Sequence, residues 1–237
     1  PDVRRMMMQM KASIEAMRAL AYTAAAEIDR SEYAADTASG EKHRGRVELY
    51  TPIVKGWLTE LAQEVTYLGT QIHGGMGFIE EAGSAQHYRD ARILTIYEGT
   101  TGIQALDLVG RKTLLNNGEL LADLLVEVES AVRQLEADKE LSDLGKALQA
   151  AVASGHIARQ WLLENAPRDP QVAGSVSVSF MMLFGYLCGG WMMGMSALKA
   201  QSSLNKGEGD GEFLAAKRVT ARFYMEQLLP RVGSYLA

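Results

Sequence analysis

From Val172 to Leu198 the chain carries no charged residue. A run of that length has two homes: the hydrocarbon of a bilayer, which a helix of about 20 apolar residues can cross, or the dry centre of a helical protein. Gly185, Gly189, Gly190 and Gly194 recur within it at the small-residue spacings that let helices approach closely. Ser175, Ser177 and Ser179 dilute its hydrophobicity, and no aromatic or basic belt flanks both ends. A buried helix is therefore the expectation, with a membrane-embedded bundle as the alternative.

The rest of the chain supports burial, because its apolar residues recur in steps of three and four, as on helices with one inward face. Met7, Met10, Ile14, Met17, Ala21, Ala24 and Ile28 predict a first helix with a methionine-rich inner stripe. Thr51 and Pro52 read as the N-cap and first position of a second, with Val54, Leu58, Leu61, Val65 and Leu68 inward. A third is expected from Thr101, with Ile103, Leu106 and Val109 inward. Leu121, Leu124, Val128, Ala131 and Leu135 mark another. Leu144, Leu148, Ala151, Ala158 and Leu162 mark one more, which NAPRDP at 165–170 stops. The last is expected from about Glu212 to Leu229, with Phe213, Val219 and Phe223 available for packing. No strand-rich segment interrupts the series, so the fold class is all-α. Asn116, Asn117 and Gly118 divide a first bundle, 1–115, from a second, 116–237. The chain opens at Pro1 and enters a helix at once, as expected of a piece cut from something longer.

One stretch breaks the helical pattern. Gly74, Gly75 and Gly77 cluster after the second helix, freeing the backbone for positive φ or for close approach to a ligand. The spacing is not that of a dinucleotide fingerprint: the sixth position from Gly75 is Glu80, and helix precedes the cluster where a strand is required. A helix terminus and turn is the plainer reading. Further on, Ile93, Leu94 and Ile96 lead to Tyr97, Glu98 and Gly99, after which Thr101 and Gln104 stand at capping-box spacing. Glu98 is thus placed just outside a helix N-terminus. The helix dipole would hold it ionised there, whereas partial desolvation by its apolar neighbours would raise its pKa and suit a general base.

Taken together, QIHGGMGF at 71–78, YRDA at 88–91 and IYEGTT at 96–101 resemble the C-terminal helical domain of the acyl-CoA dehydrogenases. The resemblance implies that Glu98 is the base removing the α-proton of an acyl-CoA thioester while the β-hydrogen leaves as hydride to the flavin of FAD. It implies that the backbone N–H of Glu98 and a flavin ribityl hydroxyl stabilise enolate-like charge, and that Tyr97 and Gly99 lie beside the substrate. It further implies that Thr100 lies near the flavin nucleotide and that Gln71, Gly74 and Gly75 approach the FAD of a neighbouring subunit. A homo-oligomer, and electron-transferring flavoprotein as acceptor, are the partners implied. Many members carry Gln two residues after that Thr; Gly102 here offers the cofactor no side chain. Residues 116–237 are similar in organisation to the C-terminal extension of the larger members. The family's N-terminal helical and middle β domains have no counterpart in this stretch, so the isolated chain is expected neither to retain FAD tightly nor to turn over acyl-CoA.

Other classes are disfavoured. A net charge of -5, without a basic patch interleaved with aromatics, argues against a nucleic-acid partner. His43, His87 and His156 each stand alone without metal-ligand spacing, so no metal is expected; His73, inside the glycine motif, could touch a cofactor or satisfy the turn. Arg89, Asp90 and Arg92 are expected to form an ion-pair network orienting their loop. The lone Cys188 excludes an internal disulfide and, with no signal peptide expected from PDVRRMMM, points to the cytoplasm. A non-catalytic helical interaction module is the alternative of a different class, and an acyl-CoA binder without oxidation is a third.

Overall fold

The computed structural model describes residues 1–236, and those residues form helices, turns and loops without a strand. Two long helices, α1 (Asp2–Glu32) and α2 (Thr37–Ile72), make an antiparallel hairpin. After them come a short α3 (Gly75–Phe78), α4 (Ser84–Ile93) and α5 (Thr101–Val109). The second half contributes α6 (Glu119–Ala137), α7 (Ser142–Asn165), α8 (Pro170–Lys206), α9 (Gly211–Phe223) and α10 (Arg231–Leu236).

The uncharged run is the centre of α8. That helix is long and apolar enough to cross a membrane, yet α1, α2, α5, α7, α9 and α10 pack around it. Met181, Leu183, Phe184, Leu187 and Cys188 are fully buried. Its glycines are sockets. A Cβ at Gly185 would overlap Trp57, and one at Gly189 would overlap both Trp57 and the Tyr224 hydroxyl. Trp57 therefore reaches the α8 backbone and meets Tyr186 edge-on at 5.7 Å, while Tyr224 donates its O–H to the Tyr186 carbonyl at 3.1 Å. A polar clamp closes the same region: Arg231 of α10 grips both oxygens of Glu64 on α2, at 2.5 and 2.7 Å, and donates to the Tyr186 hydroxyl at 2.8 Å. Burial pushes the Tyr186 phenol up to about 12, so it stays neutral.

Four expectations are corrected. α2 begins fourteen residues before Thr51, capped by Asp36, whose carboxylate accepts from the Ser39 N–H at 2.8 Å, and Pro52 sits inside the helix. A mid-helix proline costs about 3 kcal/mol, but Ile53, Gly56, Trp57 and Leu61 are buried around it, and that packing carries the helix through. The buried face of α1 is Met6, Ala12, Ser13, Ala16 and Leu20, one step round from the stripe expected, of which Met17 and Ala24 still pack against the core. Both faces repeat at helical spacing; the one with small residues lets α2 approach, and Met7 is left 55% exposed. α5 likewise buries Ala105, Leu108 and Val109, leaving Ile103 and Leu106 outside. α9 buries Thr220 and Ala221, then passes through a π-helical turn, Tyr224–Leu228, which turns Tyr224, Met225 and Leu228 inward where Phe213 and Val219 were expected to pack.

Candidate active site

The turn holding Glu98 joins α4 to α5 and is tied to the flank of α2. At the end of α4 the backbone tightens, with Ile96 and Tyr97 both donating to the Ile93 carbonyl at 2.9 and 3.1 Å. Two carbonyls at this end of α4 accept from α2 side chains. Gln63 donates to the Ala91 carbonyl at 2.6 Å, and Lys55 donates to that of Leu94 at 2.6 Å while its ammonium sits 4.6 Å from the centre of the Tyr97 ring. The far end of the turn is fixed by the Thr101 N–H to the Thr95 carbonyl at 3.2 Å and by the Thr101 hydroxyl to Glu60 at 2.5 Å. Thr100, one residue before the expected cap, is the N-cap of α5, its hydroxyl accepting from the Ile103 N–H at 3.3 Å.

Between these ties the chain reverses through two left-handed residues, Glu98 at φ 47° and Gly99 at φ 95°. Glycine adopts that region freely; a glutamate there costs roughly 1–2 kcal/mol. Asn117, the other non-glycine residue with positive φ among those described, is of a type that tolerates it. The strain at Glu98 thus falls on a residue that local folding would not choose, directly before a helix N-terminus whose free N–H groups favour negative charge. Its carboxylate is exposed, as are Ile93, Ile96 and Tyr97. The drying expected from these neighbours is not supplied by the described residues, because the turn lies on the surface.

The glycine motif ends α2. His73 turns its Nδ1 to the Gly69 carbonyl at 2.8 Å, so this histidine satisfies the turn. Gly77 is buried, and a Cβ there would overlap the Thr70 carbonyl. Gly74 takes φ 59° and ψ -140°, a region open in practice to glycine alone. Gly75 differs: it has no positive φ, and a Cβ would meet nothing within 4 Å among the described residues. Gln71 is exposed beside them. Gln71 is eleven residues past Glu60 on α2, about 16 Å along the axis, so Gln71, Gly74 and Gly75 do not share a cleft with Glu98, Gly99 and Thr100. On α4, Arg89 pairs with Glu80 at 2.8 Å, Asp90 accepts from Gln86 at 3.3 Å and Arg92 donates to the Thr95 hydroxyl. The loop is oriented by these bonds, although Asp90 takes no arginine.

A family model described as acyl-CoA dehydrogenase, C-terminal domain, matches residues 1–113, and one described as acetyl-CoA dehydrogenase C-terminal like matches residues 124–237. The chain belongs to the acyl-CoA dehydrogenase family. It is 47% identical over 234 residues to a 3-methylmercaptopropionyl-CoA dehydrogenase of Ruegeria pomeroyi, covering 97% of this chain and 39% of that protein. The fold is that of Caenorhabditis elegans ACDH-11 in complex with C11-CoA (TM-score 0.73, 20% identity, 92% of this chain and 35% of that one). It is also that of a Bacillus anthracis acyl-CoA dehydrogenase complexed with FAD (TM-score 0.72, 18% identity, 98% and 41%). The chain thus spans about two fifths of the length of such acyl-CoA dehydrogenases.

The residues that hold the turn, Lys55, Glu60 and Gln63, carry no signal of their own in the sequence. They lie 28 to 41 residues from their partners and look like the polar face of an ordinary helix. Only the pairing of α2 with α4 and α5 reveals them.

Proposed function

We propose that this chain is the C-terminal helical part of an FAD-dependent enzyme that oxidises an acyl-CoA thioester to the 2,3-enoyl-CoA, with Glu98 as the base. The observation that carries the reading is the left-handed Glu98, held before the N-terminus of α5 by bonds from α2 on both sides. A strained carboxylate at a fixed position suits proton abstraction, where geometry contributes as much as basicity. Glu98 takes the α-proton, and its backbone N–H is available to the thioester oxygen as negative charge develops there. Bound FAD supplies the acceptor for the β-hydride. Thr100 and Tyr97 flank the base and would contact nucleotide and acyl chain. Gly75, a glycine that this chain's own packing does not require, supports a second role for Gln71, Gly74 and Gly75 against the flavin of a neighbouring subunit in a homo-oligomer. Parts of the protein outside this chain, together with the acyl chain, would exclude water from Glu98.

The test uses the full-length protein under anaerobic conditions with a panel of acyl-CoA thioesters led by 3-methylmercaptopropionyl-CoA, following loss of flavin absorbance. Glu98→Gln should slow bleaching by about a hundredfold to ten-thousandfold while thioester binding persists. A protein without flavin absorbance, or a Glu98→Gln variant bleaching at the parent rate, would refute the assignment.

A further inference from the structure

Far from Glu98, at the other end of the α1–α2 hairpin, lies a cavity of about 400 Å³ bounded by α1, α2, α6 and α8. Its polar side holds Glu27, Arg30, Lys42, His43 and Arg46; opposite stand Trp191, Met192 and Met195 of α8. Two of the charged groups are buried, Glu27 at 7% exposure and Arg46 at 5%.

The charges do not balance. The Glu27 carboxylate is already taken, one oxygen by Arg30 at 2.5 Å and the other by the His43 ring at 2.6 Å. Arg46 gives Nη2 to Glu127 at 2.8 Å, but its Nη1 is buried and finds no acceptor among the described residues. A guanidinium N–H left in that condition is costly, because hydrogen bonds to buried charged groups are among the stronger ones in proteins. Lys42, exposed at the rim, adds a further cation. Three positive charges, Arg30, Lys42 and Arg46, thus face two carboxylates, Glu27 and Glu127, leaving a net positive cavity with one unfilled donor and an apolar wall. Burial raises the Tyr50 phenol well above its usual range, so it lines the cavity as a neutral group that does not repel an anion.

We propose that this cavity binds a small carboxylic acid with an apolar body, its carboxylate on Arg46 Nη1 with Lys42 at the mouth, its body against Trp191, Met192 and Met195. The volume lies within the range of small-molecule pockets, which combine an apolar lining with a few converging polar groups. The site is separate from the Glu98 turn and does not depend on the assignment made there.

Hexanoate is the probe, titrated calorimetrically into the full-length protein, with hexanamide as the uncharged control and inorganic phosphate as the head without a body. Saturable binding of hexanoate, with hexanamide and phosphate each weaker by about tenfold or more, is expected. Lys42→Glu, at an exposed position outside the catalytic turn, should weaken hexanoate by about tenfold without changing flavin content or melting temperature. Arg46→Met should abolish the binding; should that variant not fold, Lys42→Glu and Met195→Glu carry the test. Hexanoate binding that survives Lys42→Glu and Met195→Glu belongs elsewhere on the protein and overturns the proposal, as does the absence of binding, since another segment would then fill the cavity.

Discussion

Trp57 and Glu98 both depend on α2, and they sit in opposite regimes. Trp57 is fully buried, its ring seated where Gly185 and Gly189 remove side chains from α8, so its position follows from dispersion and exclusion of water. Glu98 is exposed, its backbone left-handed, and its position is set by the hydrogen bonds that Lys55 donates to Leu94 and Glu60 accepts from Thr101 on either side. The first arrangement gains stability from close packing, even with an indole N–H that finds no acceptor among the described residues; the second gives stability up to hold a carboxylate at a fixed point. One helix therefore serves as both core and scaffold, with its apolar face toward α8 and its polar face toward the turn.

That contrast can be broken from either side. Trp57→Ala should produce the largest loss, about 3–5 kcal/mol, read as a fall in the urea midpoint. A loss below that of an exposed substitution would mean that the α8 glycines are not sockets. Arg231→Met, which leaves Glu64 only its bond from the Gln9 amide and the Tyr186 hydroxyl without its donor in partly buried surroundings, should cost about 2 kcal/mol and leave flavin content in the full-length protein intact. Glu98→Gly should reverse the usual sign, raising stability by about 1 kcal/mol while removing the proposed activity; a destabilised Glu98→Gly protein would mean that the turn is not strained. The smallest effect concerns pH. The hydrogen bond from Arg222 holds the Asp143 carboxyl below the usual aspartate range. Its contribution is therefore complete above about pH 4 and is lost as pH falls through the depressed value. In Asp143→Asn the acid limb of the stability curve should shrink slightly, because stability falls a little at neutral pH and is unchanged below the depressed value.

Much of the helical plan was legible, because apolar spacing is local and the breaks at 165–170 and after Leu68 are chemical. Leu121, Leu124, Val128, Ala131 and Leu135 are buried as their spacing requires. Faces were harder. In α1 the Met7 and Met6 registers are equally periodic, and only the approach of α2, which favours Ala12 and Ala16, selects one. The start of α2 was hidden for a related reason: Thr-Pro signals a helix start wherever it occurs, and it took the burial of Ile53 and Trp57 to continue a helix through Pro52. Of the candidate site, the motifs located Glu98, Gly99 and Thr100 on one turn and Gln71, Gly74 and Gly75 at the end of α2. The bonds from Lys55, Glu60 and Gln63 were not readable, since they join residues distant in the chain.

The sequence by itself determined that this chain is built of helices, that an uncharged segment has to be kept from water, and that a glutamate follows an apolar run just before a helix. Those properties depend on neighbours within a few turns, where spacing and propensity act. Only the tertiary structure decided which face of each helix goes inward, that the α8 glycines receive Trp57 and Tyr224, and that Glu98 is bent into a left-handed conformation at the surface. These outcomes are set by which helices meet, and the free energy of that meeting is shared among residues that no local pattern connects.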